Sequence, residues 1–316
     1  MRDDSSVVHP PLTRVGSSID KAPGPIVAVL LAATLFGTTG TALALGPEET
    51  GAVSAGIMRL LIGGLGLVLV AVVTGSRLAP SPRTRRSLAL GSVTVASYQL
   101  CFFFATTSTG VALATVVTIG CSPLAARAIG AARQRPRPES WWFAAATLLV
   151  VGLAMLVIGN GDAATFSTGG VLAAVVAGIS YAAYTECGAV CLADGSESTA
   201  TMAAMFLGAG CLTSPLLVFV DLSWLGRTSG VTMILYLSLM TLTLSYVWFG
   251  WGLRHLPPTT VVMLTMFEPV VAALLAITVL DETLSFASWS GIAIVILGLL
   301  IVGRGARRPV DATVAP

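Results

Sequence analysis

Charge is what this sequence lacks. Only 10% of its 316 residues are Asp, Glu, Lys or Arg, against about 25% in ordinary soluble domains, while 55% are hydrophobic. Such a chain cannot cover its surface in water, and it belongs in lipid. Lysine is nearly missing, since arginine supplies 16 of the 17 basic residues, and the net charge of +2 is too small to imply a nucleic-acid partner. Histidine occurs only as His9 and His255. The five cysteines (Cys101, Cys121, Cys187, Cys191, Cys211) lie in apolar runs without a CxxC or Cys/His cluster, which reads as packing and not as metal binding. HExxH, GxSxG and a phosphate-cradling glycine loop with lysine are absent. No soluble nucleotide-binding domain is present, which excludes an ATP-driven pump. The expectation is a membrane protein that is not an enzyme and uses no cofactor or metal.

What the chain does have is long apolar runs. Ten segments follow one another at roughly 25–45, 52–74, 87–107, 110–132, 141–159, 169–192, 200–220, 230–252, 257–280 and 286–303, each about the length needed to cross a hydrocarbon core of roughly 30 Å as a helix. Residues 1–24 are polar and rich in proline and serine, a composition expected to be disordered. Ala42-Leu43-Ala44 resembles a signal-peptide cleavage site, but nine further spans and a long polar leader favour an uncleaved first span. The arginines set the orientation. Fourteen basic residues fall on the side of the N-terminus, among them Arg77, Arg83, Arg85, Arg86, Arg133, Arg135, Arg137, Arg254, Arg304, Arg307 and Arg308. Only Arg227 falls on the opposite side, and Arg59 and Arg127 lie within spans. The positive-inside rule then makes both termini cytoplasmic, in a plasma membrane.

The ten segments are two sets of five. A shift of 146 lays Pro123 on Pro269, Ser122 on Glu268 and Gly152 on Gly298, and a shift of 145 lays Phe36-Gly37 on Tyr181-Ala182. Because five is odd, the second set inserts upside down, an arrangement that secondary transporters use around a site near the midplane. The expected fold is all-α, ten transmembrane helices as two inverted repeats. The units are a leader at 1–24, a first repeat at 25–159, a second at 160–303 and a cytoplasmic tail at 304–316.

The stretch Pro257–Thr283 stands out. Glu268 sits near its middle and Pro269 follows at once. A carboxylate there costs at least about 2.5 kcal/mol unless it faces protein or water. The proline removes a backbone donor, so a local break is expected at Pro269 and at its counterpart Pro123. Arg59 lies roughly 10 Å into its span and Glu268 roughly 16 Å from the opposite face, at 1.5 Å per residue. In a core of about 30 Å the two side chains are therefore within reach of each other, as a coupling element for proton or substrate. A fixed structural pair is the plainer alternative. Thr241, Ser245, Trp248 and Gly252 share one helical face. With Tyr246 and Trp251 nearby, and Tyr98 and Gln99 in the third segment, they suit an amphiphilic small-molecule substrate in a mostly apolar pocket. Equally, threonines and serines bond between helices in bundles. Glu186 reads as a residue of an inner helix end, open to water, paired with a loop arginine or lining the inner mouth, and Arg127 as a snorkelling residue. Glu282, just before Ser285, suits the start of the last helix.

Several stretches resemble the drug/metabolite transporter superfamily, specifically its EamA-type ten-helix exporters. They are Leu35-Phe36-Gly37, Arg59 in GIMRLLIGG, Tyr181 in GISYAAYTE, TLSYVWFGWGLRHLPP at 243–258, and the run from Phe267 to Arg304. The resemblance covers nearly everything from Pro25 to Gly303. It implies efflux of amino acids, other small metabolites or toxic amphiphiles, generally driven by the proton gradient. One departure is visible: where the family commonly has a glutamate about a dozen residues after the fourth-helix proline, this chain has Arg135-Pro136-Arg137. An uptake permease, or from another class a non-transporting scaffold or lipid-handling enzyme, remains the rival expectation. A homodimer is left open.

Overall fold

A computed structural model describes residues 24–135, 139–158 and 167–306. Residues 1–23 of the expected leader, Arg137 and the tail from Arg307 lie outside the described residues. Ten helices span: α1 Pro25–Ala44, α2 Ala52–Val73, α3 Pro82–Thr109, α4 Val111–Ala132, α5 Ser140–Ile158, α6 Thr168–Ala193, α7 Ser198–Phe219, α8 Thr228–His255, α9 Pro258–Val279 and α10 Phe286–Gly305. α3 begins five residues before the start expected from hydropathy, where a polar cap adds a turn, and α6 and α10 also open on polar caps. Ser81 accepts from the Thr84 N–H with Pro82 in the first turn, Ser167 accepts from Gly170, and Ser285 from Ser288. Each cap satisfies an N–H that the helix leaves orphaned.

The repeat is visible in the helix bounds. Adding 146 to Ala52 and Val73 gives Ser198 and Phe219, and adding it to Pro82 and Thr109 gives Thr228 and His255. The packing follows the same rule. α2 lies on its counterpart α7 and α5 on α10, while α3 on α6 is matched by α8 on α1, and α4 on α6 by α9 on α1. Two antiparallel sets exchanging partners in this way form one bundle with a shared centre. At the α5–α10 crossing a Cβ on Gly152 would stand 2.8 Å from the Val295 nitrogen and 2.9 Å from the Gly291 carbonyl. Backbones that close require glycine, and small residues are how helices approach in lipid. Large apolar side chains such as Leu65, Leu69, Val73, Phe143 and Leu300 face outward, which only a nonpolar solvent tolerates as a continuous surface.

Below, the proximal face is the one where α1 begins and the distal face the one where it ends. On the proximal face the α2–α3 and α6–α7 loops are tied together. The Glu197 N–H donates to the Arg77 carbonyl at 2.8 Å and the Ala79 N–H to the Ser196 hydroxyl at 3.0 Å. Asp194 accepts from the hydroxyls of Ser81 and Thr84.

Irregularities interrupt α8 and α9, and α7 ends in a 3₁₀ stretch at Ser214–Phe219. α9 runs as an α-helix to Leu264, tightens into a 3₁₀ turn at Thr265–Phe267, and resumes at Glu268 with Pro269 in its first turn. The break expected at Pro269 is there. The one expected at Pro123 is not: α4 continues through it. Pro123 leaves the Ile119 carbonyl without its usual donor, and the Ser122 hydroxyl fills the gap by donating to that carbonyl at 2.7 Å. α8 widens into a π turn over Leu239–Leu244.

Candidate functional site

At the centre of the bundle is a cavity of about 600 Å³. Its walls reach Leu43 at the end of α1, Ala52 at the start of α2, Val111 at the start of α4, and Ala276 and Glu282 at the end of α9. All of these are distal helix ends. Toward the proximal face the lining stops at an aromatic floor. The Phe206 and Tyr246 rings lie 3.9 Å apart, Phe36 lies 5.1 Å from Tyr246, and Tyr184 lies 5.8 Å from Phe206. The Tyr184 and Tyr246 hydroxyls are hydrogen-bonded at 2.9 Å. The cavity is therefore open distally and sealed proximally.

Three charged side chains line the cavity among the described residues: Arg59 from α2 and Glu268 from α9 deep in the wall, and Glu282 at the distal mouth. Arg59 is anchored by its Nη2, which donates to the Thr241 carbonyl at 2.7 Å. The π turn makes this possible. The Ser245 N–H reaches the Met240 and Leu242 carbonyls and not that of Thr241, the partner an α-helix would give it. The Nε of Arg59 is buried without a partner. Glu268 lies where the 3₁₀ turn hands over to the second half of α9. Among the described residues no ion pair of 4.0 Å or less joins it to Arg59. The two are expected from the sequence to be within reach of each other as a pair of opposite charges; they line one cavity without forming an ion pair of 4.0 Å or less.

Tyr98 and Gln99 of α3 and Tyr246 of α8 also line the cavity. Tyr98 lies 5.9 Å from Phe102 with the rings nearly parallel, and 5.9 Å from Tyr181. Thr241, Ser245 and Trp248 do not line it, which corrects the expected stripe. The π turn inserts part of a residue's rotation into α8, so the face presented is Leu237, Leu242 and Tyr246. The Thr241 hydroxyl donates to the Leu237 carbonyl at 2.7 Å and the Ser245 hydroxyl to the Thr241 carbonyl at 2.8 Å. Trp248 packs half-buried against the core. A π turn has no signature that hydropathy periodicity detects.

Other residues enter that sequence reasoning had not placed in a site. Tyr181 and Tyr184, one turn apart on α6, both face the chamber, and the Tyr181 hydroxyl meets that of Thr265 at 2.5 Å. Their i, i+3 spacing in GISYAAYTE was the available signal. Glu282 lines the mouth and does not open α10, whose cap is Ser285 and whose first turn holds no acid. It closes α9, where Asp281 takes a left-handed φ of 55° and the Glu282 N–H returns to the Ala276 carbonyl. Glu186 pairs with the loop residue Arg135 at 2.8 Å, below the aromatic floor.

Comparison with known proteins agrees with this architecture. A solved crystal structure matches with a TM-score of 0.77 over 90% of this chain and 98% of its own, at 17% sequence identity, so the fold is shared. The uncharacterized transporter YwfM of Bacillus subtilis (strain 168) is 36% identical over 288 residues, covering 91% of this chain and 96% of the relative. The sequence matches the EamA-like transporter family twice, over residues 24–158 and again over 168–304, one match for each set of five helices. The chain belongs to the EamA-like transporter family of the drug/metabolite transporter superfamily.

Proposed function

We propose that this transporter works in the plasma membrane by alternating access, exporting amino acids or other small metabolites in exchange for protons. The observation that carries the reading is the free carboxylate of Glu268 sharing one wall with the half-anchored guanidinium of Arg59. A zwitterion presents an ammonium and a carboxylate, and the two side chains offer one opposite charge for each, without first having to break a bond between themselves. The aromatic remainder of the wall suits an apolar side chain. A carboxyl group inside a membrane, with no fixed partner, is also what a proton must titrate if its movement is to drive a cycle. Basic residues crowd the proximal face, which makes that face and both termini cytoplasmic under the positive-inside rule, so the cavity faces outward.

A second reading, export of amphiphilic cations, is favoured by the aromatic rings themselves, because ring faces attract desolvated cations. The experiment is flux into proteoliposomes under an imposed pH difference, with labelled amino acids and cationic dyes as competing substrates. Accumulation of an amino acid that collapses with a protonophore supports the first reading. Accumulation of dyes alone supports the second. Movement of neither, with folded protein in the bilayer, contradicts both and favours a scaffold or a lipid-handling role.

A further inference from the structure

Arg127 lies half-buried within α4, and among the described residues no ion pair or hydrogen bond holds it. Arg59 and Arg135, by contrast, are anchored to the Thr241 carbonyl and to Glu186. A guanidinium at membrane depth is costly without an acceptor, so the bilayer itself has to supply one.

Beside it, α4 and α5 enclose a groove of about 230 Å³. Buried Gly120, Pro123 and Ala146 form its floor, and exposed Leu124, Phe143 and Thr147 its rim, so it opens on the lipid-facing side of the bundle. Arg127 follows Pro123 by four residues and Leu124 by three, which puts it on the same face of α4, one turn nearer the proximal end. We propose that this groove binds one anionic phospholipid of the proximal leaflet, with an acyl chain over Gly120 and Ala146, an ester carbonyl at Thr147 and the phosphate on Arg127. The site is separate from the central cavity and does not depend on what that cavity carries.

The groove is built in the order of a lipid. At 1.5 Å per residue, Arg127, Thr147 and Gly120 lie roughly 8, 10 and 18 Å from the proximal ends of their helices. Charge comes first, then a hydroxyl, then a slot without side chains, as phosphate, ester and chain do. Arginine extends its stem toward the interface and takes a phosphate with two parallel N–H bonds. The Thr147 hydroxyl makes no hydrogen bond among the described residues, whereas those of Thr34, Thr94 and Thr278 return to their own helices at 2.9 Å. An ester carbonyl gives it the acceptor that hydrocarbon does not. At Gly120 an added Cβ would meet only the Val150 side chain, at 3.7 Å, so packing does not require glycine there, and its effect is a deeper groove. The headgroup end meets a basic surface, where Arg133 caps α4 and Arg304 lies in the last turn of α10, the helix packed on α5. That surface repels the ammonium of a zwitterionic headgroup and attracts a headgroup of net negative charge.

The test purifies the full chain in detergent and adds back phosphatidylglycerol or phosphatidylcholine with identical acyl chains. Bound lipid is counted by native mass spectrometry, and the unfolding temperature is followed as lipid is titrated. The native chain is expected to hold one phosphatidylglycerol and to bind it at least about tenfold more tightly than phosphatidylcholine, the scale of one hydrogen bond to a charged group. Arg127→Gln should remove that preference, and Gly120→Leu, which fills the groove, should abolish retention of either lipid. Equal binding of the two lipids by the native chain overturns the inference. So does an Arg127→Gln variant that keeps the preference, or a Gly120→Leu variant that keeps the lipid. Dimers that Gly120→Leu dissociates in the absence of lipid would give the groove to a second copy of the chain and overturn it as well.

Discussion

Ser122 and Glu268 occupy the same place in the two halves, one residue before a proline, and solve the same problem in opposite ways. Each proline deprives the carbonyl four residues back of its donor. At Ile119 the Ser122 hydroxyl supplies a proton at 2.7 Å and α4 runs on. Ionised, Glu268 has no proton to give. There the Glu268 N–H turns back to the Thr265 carbonyl, the helix tightens, and the carboxylate is left free on the cavity wall. The half with serine thus keeps a continuous α4, and the half with glutamate has a 3₁₀ break in α9.

Replacing Ser122 with Ala removes that repair. The Ile119 carbonyl then lacks a donor in an apolar setting, at a cost of about 1–3 kcal/mol. Thermal unfolding in detergent should show a clear drop for Ser122→Ala and near-recovery for Ser122→Thr, which keeps the hydroxyl. Equal stability of the alanine variant would mean that the helix does not need the repair.

Arg59 depends on the π turn of α8. Lysine keeps the charge but cannot both reach the Thr241 carbonyl and leave an edge facing the cavity. With hydrogen bonds from charged groups worth about 1.5–3 kcal/mol, Arg59→Lys should weaken transport roughly tenfold or more at normal membrane abundance. Unchanged transport per molecule would show that charge alone suffices.

Gly37 holds α1 against the break in α9, since an added Cβ would lie 2.7 Å from both the Glu268 carbonyl and the Val271 Cβ. Overpacking of this kind costs about 1–3 kcal/mol. Gly37→Ala should therefore lower the unfolding temperature, whereas Gly40→Ala, with nothing within 4 Å of its added Cβ, should leave it unchanged. Similar behaviour of the two would argue against close α1–α9 packing.

The proximal loop tie should fail in acid. The Ser81 hydroxyl first, then that of Thr84, holds the Asp194 carboxyl below its ordinary value. A native value below the unfolded one, about 3.9, stabilises the fold fully above that pH and loses the contribution as pH falls through the native value. Unfolding temperature measured from pH 6 downward should fall more steeply below about pH 4 in the native chain than in Asp194→Asn. Parallel curves would remove Asp194 from the account.

Much of this was legible in the residues. Ten apolar runs, the shift of 146 and Glu268–Pro269 are one-dimensional features, and the spans, the repeat and the break in α9 followed from them. What escaped depended on rotation within a helix. The π turn redirects α8, so Tyr246 lines the cavity while Thr241, Ser245 and Trp248 do not. Pro123 read as a break because a proline is visible in sequence and the rescue by its neighbour's hydroxyl is not. Glu282 read as the start of α10, although the left-handed Asp281 assigns it to the end of α9.

The central claim is that Glu268 couples proton movement to substrate movement, and Glu268→Gln tests it most directly. Glutamine keeps the shape and removes the titratable group. In proteoliposomes with an imposed pH difference, the variant should bind and exchange substrate yet fail to accumulate it against its gradient, while Glu268→Asp retains partial accumulation. Uphill accumulation by Glu268→Gln at the native rate would contradict the claim and leave Glu268 a structural residue.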